Sequence, residues 1–141
     1  MNAMQIRAAV SVDREQIWPL ARDLATSYEV DREAFLAIFD QVLLTTDALV
    51  LVAESDDQVV GYLLAQQHQT FHANGPVVWV EEVMVSAAHR GLGVARALMD
   101  TVEVWAREHD AAYVALATRR AADFYAALGY EPSATYFKHR L

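Results

Sequence analysis

The chain reads as an α/β fold, a central twisted mixed β-sheet flanked by helices, with elements in the order βααβββαβαβ. Three observations lead there. Apolar residues switch between period two and helical spacing along the chain, which separates strands from helices. One late apolar run, AAYVALA, lacks polar alternation, as a strand buried on both faces would. The 141 residues are 55% hydrophobic and 21% charged, enough to bury one core and unlike a disordered chain, so a single domain over 1–141 is expected.

MQIRAAV, Met4–Val10, alternates and forms the first strand. Asp13, with Gln16 three residues on, offers a helix cap and opens DREQIWPLARDLATSY. Pro19 lies deep enough there to demand a kink or a late start, because it removes a donor and crowds the previous turn. DREAFLAIFDQVLLT, capped by Asp31, sets Phe35, Ile38, Phe39, Val42 and Leu43 on one stripe of a second helix. ALVLVAESDDQVVGYLLAQQHQTF holds two apolar runs around a polar turn at Ser55–Gln58, a β-hairpin. After Asn74–Pro76 comes the strand VVWVEEVMV, Val77–Val85, and then a helix carrying Val94, Leu98, Val102 and Trp105 on one face. AAYVALA, Ala111–Ala117, is the next strand; TRRAADFYAALGY is a short helix stopped by Gly129; TYFKHRL is a last strand, with room for one more near Tyr130. The sequence contains neither an internal repeat nor a linker.

Composition excludes several functions. A net charge of −8 gives no electrostatic basis for nonspecific grip on nucleic acid or an anionic membrane, and tilts toward a cationic small ligand. With no cysteine there is no disulfide, thiolate metal site or cysteine nucleophile. The opening MNAMQIRAAVSVDREQ lacks a basic start and an apolar stretch, and no run is long enough to span a bilayer, so a cytoplasmic location is expected.

The stretch HRGLGVARAL, His89–Leu98, puts two glycines where a helix starts, although glycine costs about 1 kcal/mol against alanine in a helix. A helix start has unpartnered N–H groups and a favourable dipole for anions. It is neither a Walker loop nor a full dinucleotide fingerprint, and taken alone it fits a tightly packed loop equally well.

Read with the rest of the chain, the stretch is more informative. RGLGVA, Arg90–Ala95, matches the pattern Arg/Gln-x-x-Gly-x-Gly/Ala; the strand before it ends VMVSAAHR; and FYAALGY, Phe124–Tyr130, lies about thirty residues downstream. On these motifs, in this order, the whole chain resembles the GNAT family of N-acetyltransferases. The resemblance implies acetyl-CoA (coenzyme A) as cofactor, with its pyrophosphate on the amides of Gly91, Leu92, Gly93, Val94 and Ala95 and charge lent by Arg90. It also implies pairing of the pantetheine arm with the strand backbone at Val83, Met84 and Val85, mainly the last two, and a tyrosine, Tyr125, near the thiol. Thr118 stands where the family often has an asparagine holding the cofactor; a hydroxyl cannot supply both an amide donor and a carbonyl acceptor.

Acetyl transfer needs a neutral amine, and deprotonating a lysine-like amine at pH 7 costs about 4.6 kcal/mol, which a base or water relay must offset. Candidates are Glu81 and Glu82, turned to opposite faces by strand alternation; family bases on this strand fall in register with Glu81. The other reading of both is solvated carboxylates on a half-exposed strand. Tyr125 would hydrogen-bond the departing thiolate, since full proton transfer from a phenol to a thiolate is uphill by about 2 kcal/mol; its structural alternative is a core tyrosine under the last strand. Without cysteine, direct transfer in a ternary complex and sequential kinetics follow.

No metal site is expected: His68 and His72, four apart on a strand, would lie about 13 Å from each other. Arg119 and Arg120 fit solvated surface residues better than a phosphate site, and Trp18, Tyr28, Phe35 and Trp79 fit core packing better than an acceptor pocket. The partner is a small-molecule or peptide amine, and an exposed last strand is available to pair two copies as a homodimer. Two rivals are a non-catalytic acyl-CoA-binding module of the same fold and a nucleotide-phosphate binder, the latter opposed by the missing Walker lysine.

Overall fold

Five strands assemble in the order β1-β2-β3-β4-β5 in the computed structural model, which describes residues 4–141. Residues 1–3, part of the opening read above for a leader, lie outside the described residues. The strands are β1 (Gln5–Ala8), β2 (Ala48–Ser55), β3 (Gln58–Gln69), β4 (Pro76–Val85) and β5 (Val114–Leu116). Pairing is antiparallel from β1 to β4 and parallel between β4 and β5. Helices α1 (Arg14–Leu24) and α2 (Arg32–Leu43) follow β1, α3 (Val94–Glu108) joins β4 to β5, and α4 (Ala122–Ala127) follows β5. The mixed sheet flanked by helices is the fold class read from the sequence. Among the described residues no helix is long and apolar enough to cross a membrane.

Alternation splits the core in two. One face buries Leu63, Val78, Leu98, Met99 and Val102 under α3; the other buries Ile17, Phe39, Val52 and Tyr62 under α1 and α2. Gly61 lets α3 approach, because a Cβ there would stand 3.1 Å from both the Met84 carbonyl oxygen and Val94 Cγ1. The β2–β3 turn is tight: Asp56 and Asp57 both take positive φ, 53° and 62°, the signature of a type I′ hairpin.

Several expectations need correction. Asp13 does not cap α1. Its carboxylate turns back to accept two hydrogen bonds from Arg7, at 2.8 and 2.9 Å, and one from the Val10 amide at 2.7 Å. Gln16 instead accepts from the Val59 amide. A nearly buried carboxylate gains more from a guanidinium than from a helix amide. Helix α1 runs through Pro19 from a 3-10 turn at Ser11–Asp13, so Pro19 neither delays nor ends it. Asp31 caps α2 as expected, accepting from the Ala34 amide at 2.8 Å. Strand β5 is half-buried, not buried on both faces, because it is three residues long and lies at the sheet edge. No strand forms at TYFKHRL or near Tyr130. The C-terminal segment runs to the α1–α2 loop, where Lys138 and Arg140 stack on Tyr28 and Arg140 donates to the Ser27 carbonyl.

Candidate active site

The site begins where β4 leaves β5. Their pairing covers only Val78–Val80, so the outer edge of β4 from Glu81 to Val85 has no neighbouring strand. The break coincides with a bulge: Leu64 pairs with Glu82 and Ala65 with Val80, leaving Glu81 unpartnered on β3. Beyond the bulge the ladder is regular, and the Ser86 amide donates to the Val60 carbonyl at 2.8 Å. Because hydrogen-bonded pairs alternate in an antiparallel ladder, Glu82 and Met84 turn their main-chain groups to β3, whereas Val83 and Val85 present theirs to the open edge. The main-chain groups turned to the open edge are therefore those of Val83 and Val85, rather than Met84 and Val85, with the Val85 carbonyl already accepting from Arg90 Nε.

That edge leads into a loop at Ser86–Gly93. Gly91 and Gly93 take φ of 76° and 85°, a left-handed backbone that glycine adopts without strain. A Cβ built on either would meet no heavy atom within 4 Å, so the space above both is open to a ligand. Gly93 caps α3, and its carbonyl accepts from Ala97. The N–H groups of Val94, Ala95 and Arg96 have no carbonyl behind them within the helix and form a donor cluster facing this space. The Val94 side chain is buried against β3 and the half-buried Ala95 packs on the same core, which holds the cluster still. Leu92 is exposed, and Arg90 Nε donates to the Val85 carbonyl, tying loop to strand. Ser86 Oγ and His89 Nδ1 lie 2.7 Å apart and brace the same turn. A diphosphate fits this cradle by donor chemistry and by room.

Tyr125 lies on α4 and packs against the α3-side core, its ring edge-on to Phe124 and Tyr130. Burial pushes its phenol above the usual tyrosine range, so it holds its proton. Thr118 accepts from the Ala121 amide and thus shapes the lead into α4. Arg119 and Arg120 are exposed.

The two glutamates part company. Glu82 points to the α1–α2 face and accepts a 2.6 Å hydrogen bond from the buried Tyr62 hydroxyl. It also lines two adjoining cavities, of about 340 and 80 Å³, which share Phe35, Ile38 and Glu82. Glu81, at the bulge, has a carboxyl raised from its ordinary value by local desolvation and then by the Glu82 charge, with His68 acting oppositely. Tyr62 is the residue that sequence reading missed. Its contact with Glu82 is diagonal across the regular part of the β3–β4 ladder, and the clue in the sequence was a polar-tipped aromatic amid an apolar run. Phe35 packs against the α1–α2-side core as expected and also lines both cavities, whereas Tyr28 is exposed. His68 and His72 make no metal cluster among the described residues, and His72 instead meets the Tyr113 hydroxyl.

Comparison with known proteins follows this geometry. The chain aligns with mouse N-acetyltransferase 8B at 35% identity over 91 residues, covering 62% of this chain and 39% of that protein. It therefore spans about two fifths of the length of the curated relatives it matches. It superposes on the structure of aminoglycoside N-acetyltransferase AAC(6')-Iy in complex with CoA with a TM-score of 0.89 at 23% identity, over 100% of this chain and 96% of that one. Glucosamine-6-phosphate N-acetyltransferase from Arabidopsis thaliana gives 0.86 at 17% identity, over 98% of each chain. At those identities the likeness is one of fold. The model of the Acetyltransferase (GNAT) family matches residues 14–130, most of the chain, and by that match this chain belongs to the GNAT family.

Proposed function

We propose that this chain transfers the acetyl group of acetyl-CoA directly to a primary amine. The observation that carries the proposal is the continuity of the open β4 edge with the glycine cradle: main-chain groups for an extended arm run straight into donors for a diphosphate. When bound, acetyl-CoA supplies an activated acyl carbon, so that a C–N bond forms as the C–S bond breaks; an ammonium sheds two protons in all, one leaving through the base to solvent and one matched by the proton the thiolate takes.

The protein's own groups cover the rest. Val83 and Val85 orient the arm, and the amides from Gly91 to Ala95 take the phosphate charge, with charge-assisted bonds worth about 1.5 to 3 kcal/mol each. Glu82 stands over the acceptor cavity and orients the amine. Glu81, made more basic by its surroundings, accepts the amine's proton through an ordered water. Tyr125, kept protonated by burial, donates to the thiolate. With no cysteine to carry the acyl group, the kinetics are sequential.

The test is calorimetric titration with CoA, followed by CoA release from acetyl-CoA across a panel of amines. Binding with turnover and intersecting initial-rate plots supports the proposal. Binding with no amine acetylated leaves a non-catalytic CoA-binding module of the same fold, and failure to bind CoA overturns both.

A further inference from the structure

The acceptor cavity carries a chemical signature of its own. Its wall between α1, α2 and β4 is formed by Leu24, Val30, Phe35 and Ile38 with small alanines, and at about 340 Å³ it is at the small end of ligand pockets. Phe35 is fixed there by ring contacts to Trp18 at 5.4 Å and Phe39 at 5.8 Å. Two carboxylates reach the lining. Asp31 is already committed to the Ala34 amide as the α2 cap. Glu82 is held at Oε1 by Tyr62, and its Oε2 has no protein partner among the described residues.

No basic residue lines either cavity among the described residues. The cations at the neighbouring loop, Lys138 and Arg140, are stacked on Tyr28, and Arg140 also donates to the Ser27 carbonyl. A ligand carboxylate or phosphate would find no counter-charge in the cavity, and a row of hydroxyls would be desolvated against apolar walls. Among the described residues Asp31 also keeps one oxygen unbonded but is exposed to water, so the station for an ammonium sheltered between the apolar walls is Glu82, beside the open edge of β4.

Building on the acetyltransferase reading, we infer that the acceptor is a primary amine on an apolar stem, alkyl or arylalkyl, without an anionic group. Its ammonium sits at Oε2 of Glu82, steadied by Tyr62, and its stem lies between Phe35, Ile38 and Leu24. Tyr62 is a positioning residue: its buried hydroxyl fixes the carboxylate rotamer so that the free oxygen faces the cavity.

Four small probes test this: 2-phenylethylamine, phenylalanine with the same stem and an added carboxylate, 2-phenylethanol without the charge, and glucosamine without the apolar stem. Each is titrated into the cofactor-free protein by NMR and, for the amines, assayed for CoA release. The expected result is a kcat/KM for 2-phenylethylamine at least tenfold above phenylalanine and glucosamine, with resonance shifts at Phe35 and Ile38 and none with 2-phenylethanol. Glu82→Gln should raise the KM for 2-phenylethylamine about tenfold while CoA affinity is unchanged, which also shows that the variant folds. Preference for phenylalanine or glucosamine, or an unmoved KM in Glu82→Gln, overturns the inference and leaves acetyl transfer standing. Should CoA fail to bind, acetyl transfer falls, and the NMR titration decides the amine site independently.

Discussion

At single positions, charge and burial divide the labour. Tyr125→Phe removes a donor without changing shape, so kcat should fall about 100-fold while CoA affinity by calorimetry stays the same. Glu81 has a raised carboxyl, so its basic form is populated only above that raised value and activity should climb with pH through it. In Glu81→Gln this limb of the kcat/KM profile should vanish; a profile identical to the parent's would remove Glu81 from the mechanism. Both proposed roles came with the family resemblance, on FYAALGY and on the strand before the glycines. The Tyr62–Glu82 contact was not legible in the sequence, because it joins residues twenty apart across a strand register that local pattern does not fix.

Elements set the geometry in which those residues act. Gly93→Val places a branched side chain at φ 85° and into the open space above the cap. The left-handed backbone alone costs a non-glycine residue about 1 to 2 kcal/mol, and the branched chain blocks the diphosphate, so CoA affinity should drop more than tenfold by calorimetry. Gly61→Ala acts at a distance: the added methyl presses on the Met84 carbonyl and on Val94, shifting the start of α3. An overpacking loss of about 1 to 3 kcal/mol in urea unfolding is expected, together with weaker CoA binding. Helix and strand order were legible because periodicity is local. The terminal strand was misread because TYFKHRL has strand-forming residues, yet the segment runs to the α1–α2 loop and joins no sheet edge; Phe137, 88% exposed, shows how little packing it finds. The resemblance pointed mainly to Met84 and Val85 for the extended arm, whereas the register beyond Glu81 turns the main-chain groups of Val83 and Val85 to the open edge.

Across the whole molecule, the first strand is tied to the rest by charge. Arg7 bridges Asp13 and Glu54, and Asp13 has a side chain only 4% exposed. The Arg7 guanidinium holds the Asp13 carboxyl below its ordinary 3.8, so this bridge stabilises the fold above that value and is lost as pH falls through the depressed one. Arg7→Met leaves that carboxylate without its cation, a loss of about 2 kcal/mol after allowance for the partial exposure of Arg7. Thermal unfolding at pH 7 should show a drop of about 8 °C, and below pH 4 the gap to the parent should narrow. The branching of β4 from β5 governs traffic as well. On the proposed function the open edge of β4 and the cavity on its α1–α2 face are separate doorways, so product-inhibition patterns should show that either partner can enter first.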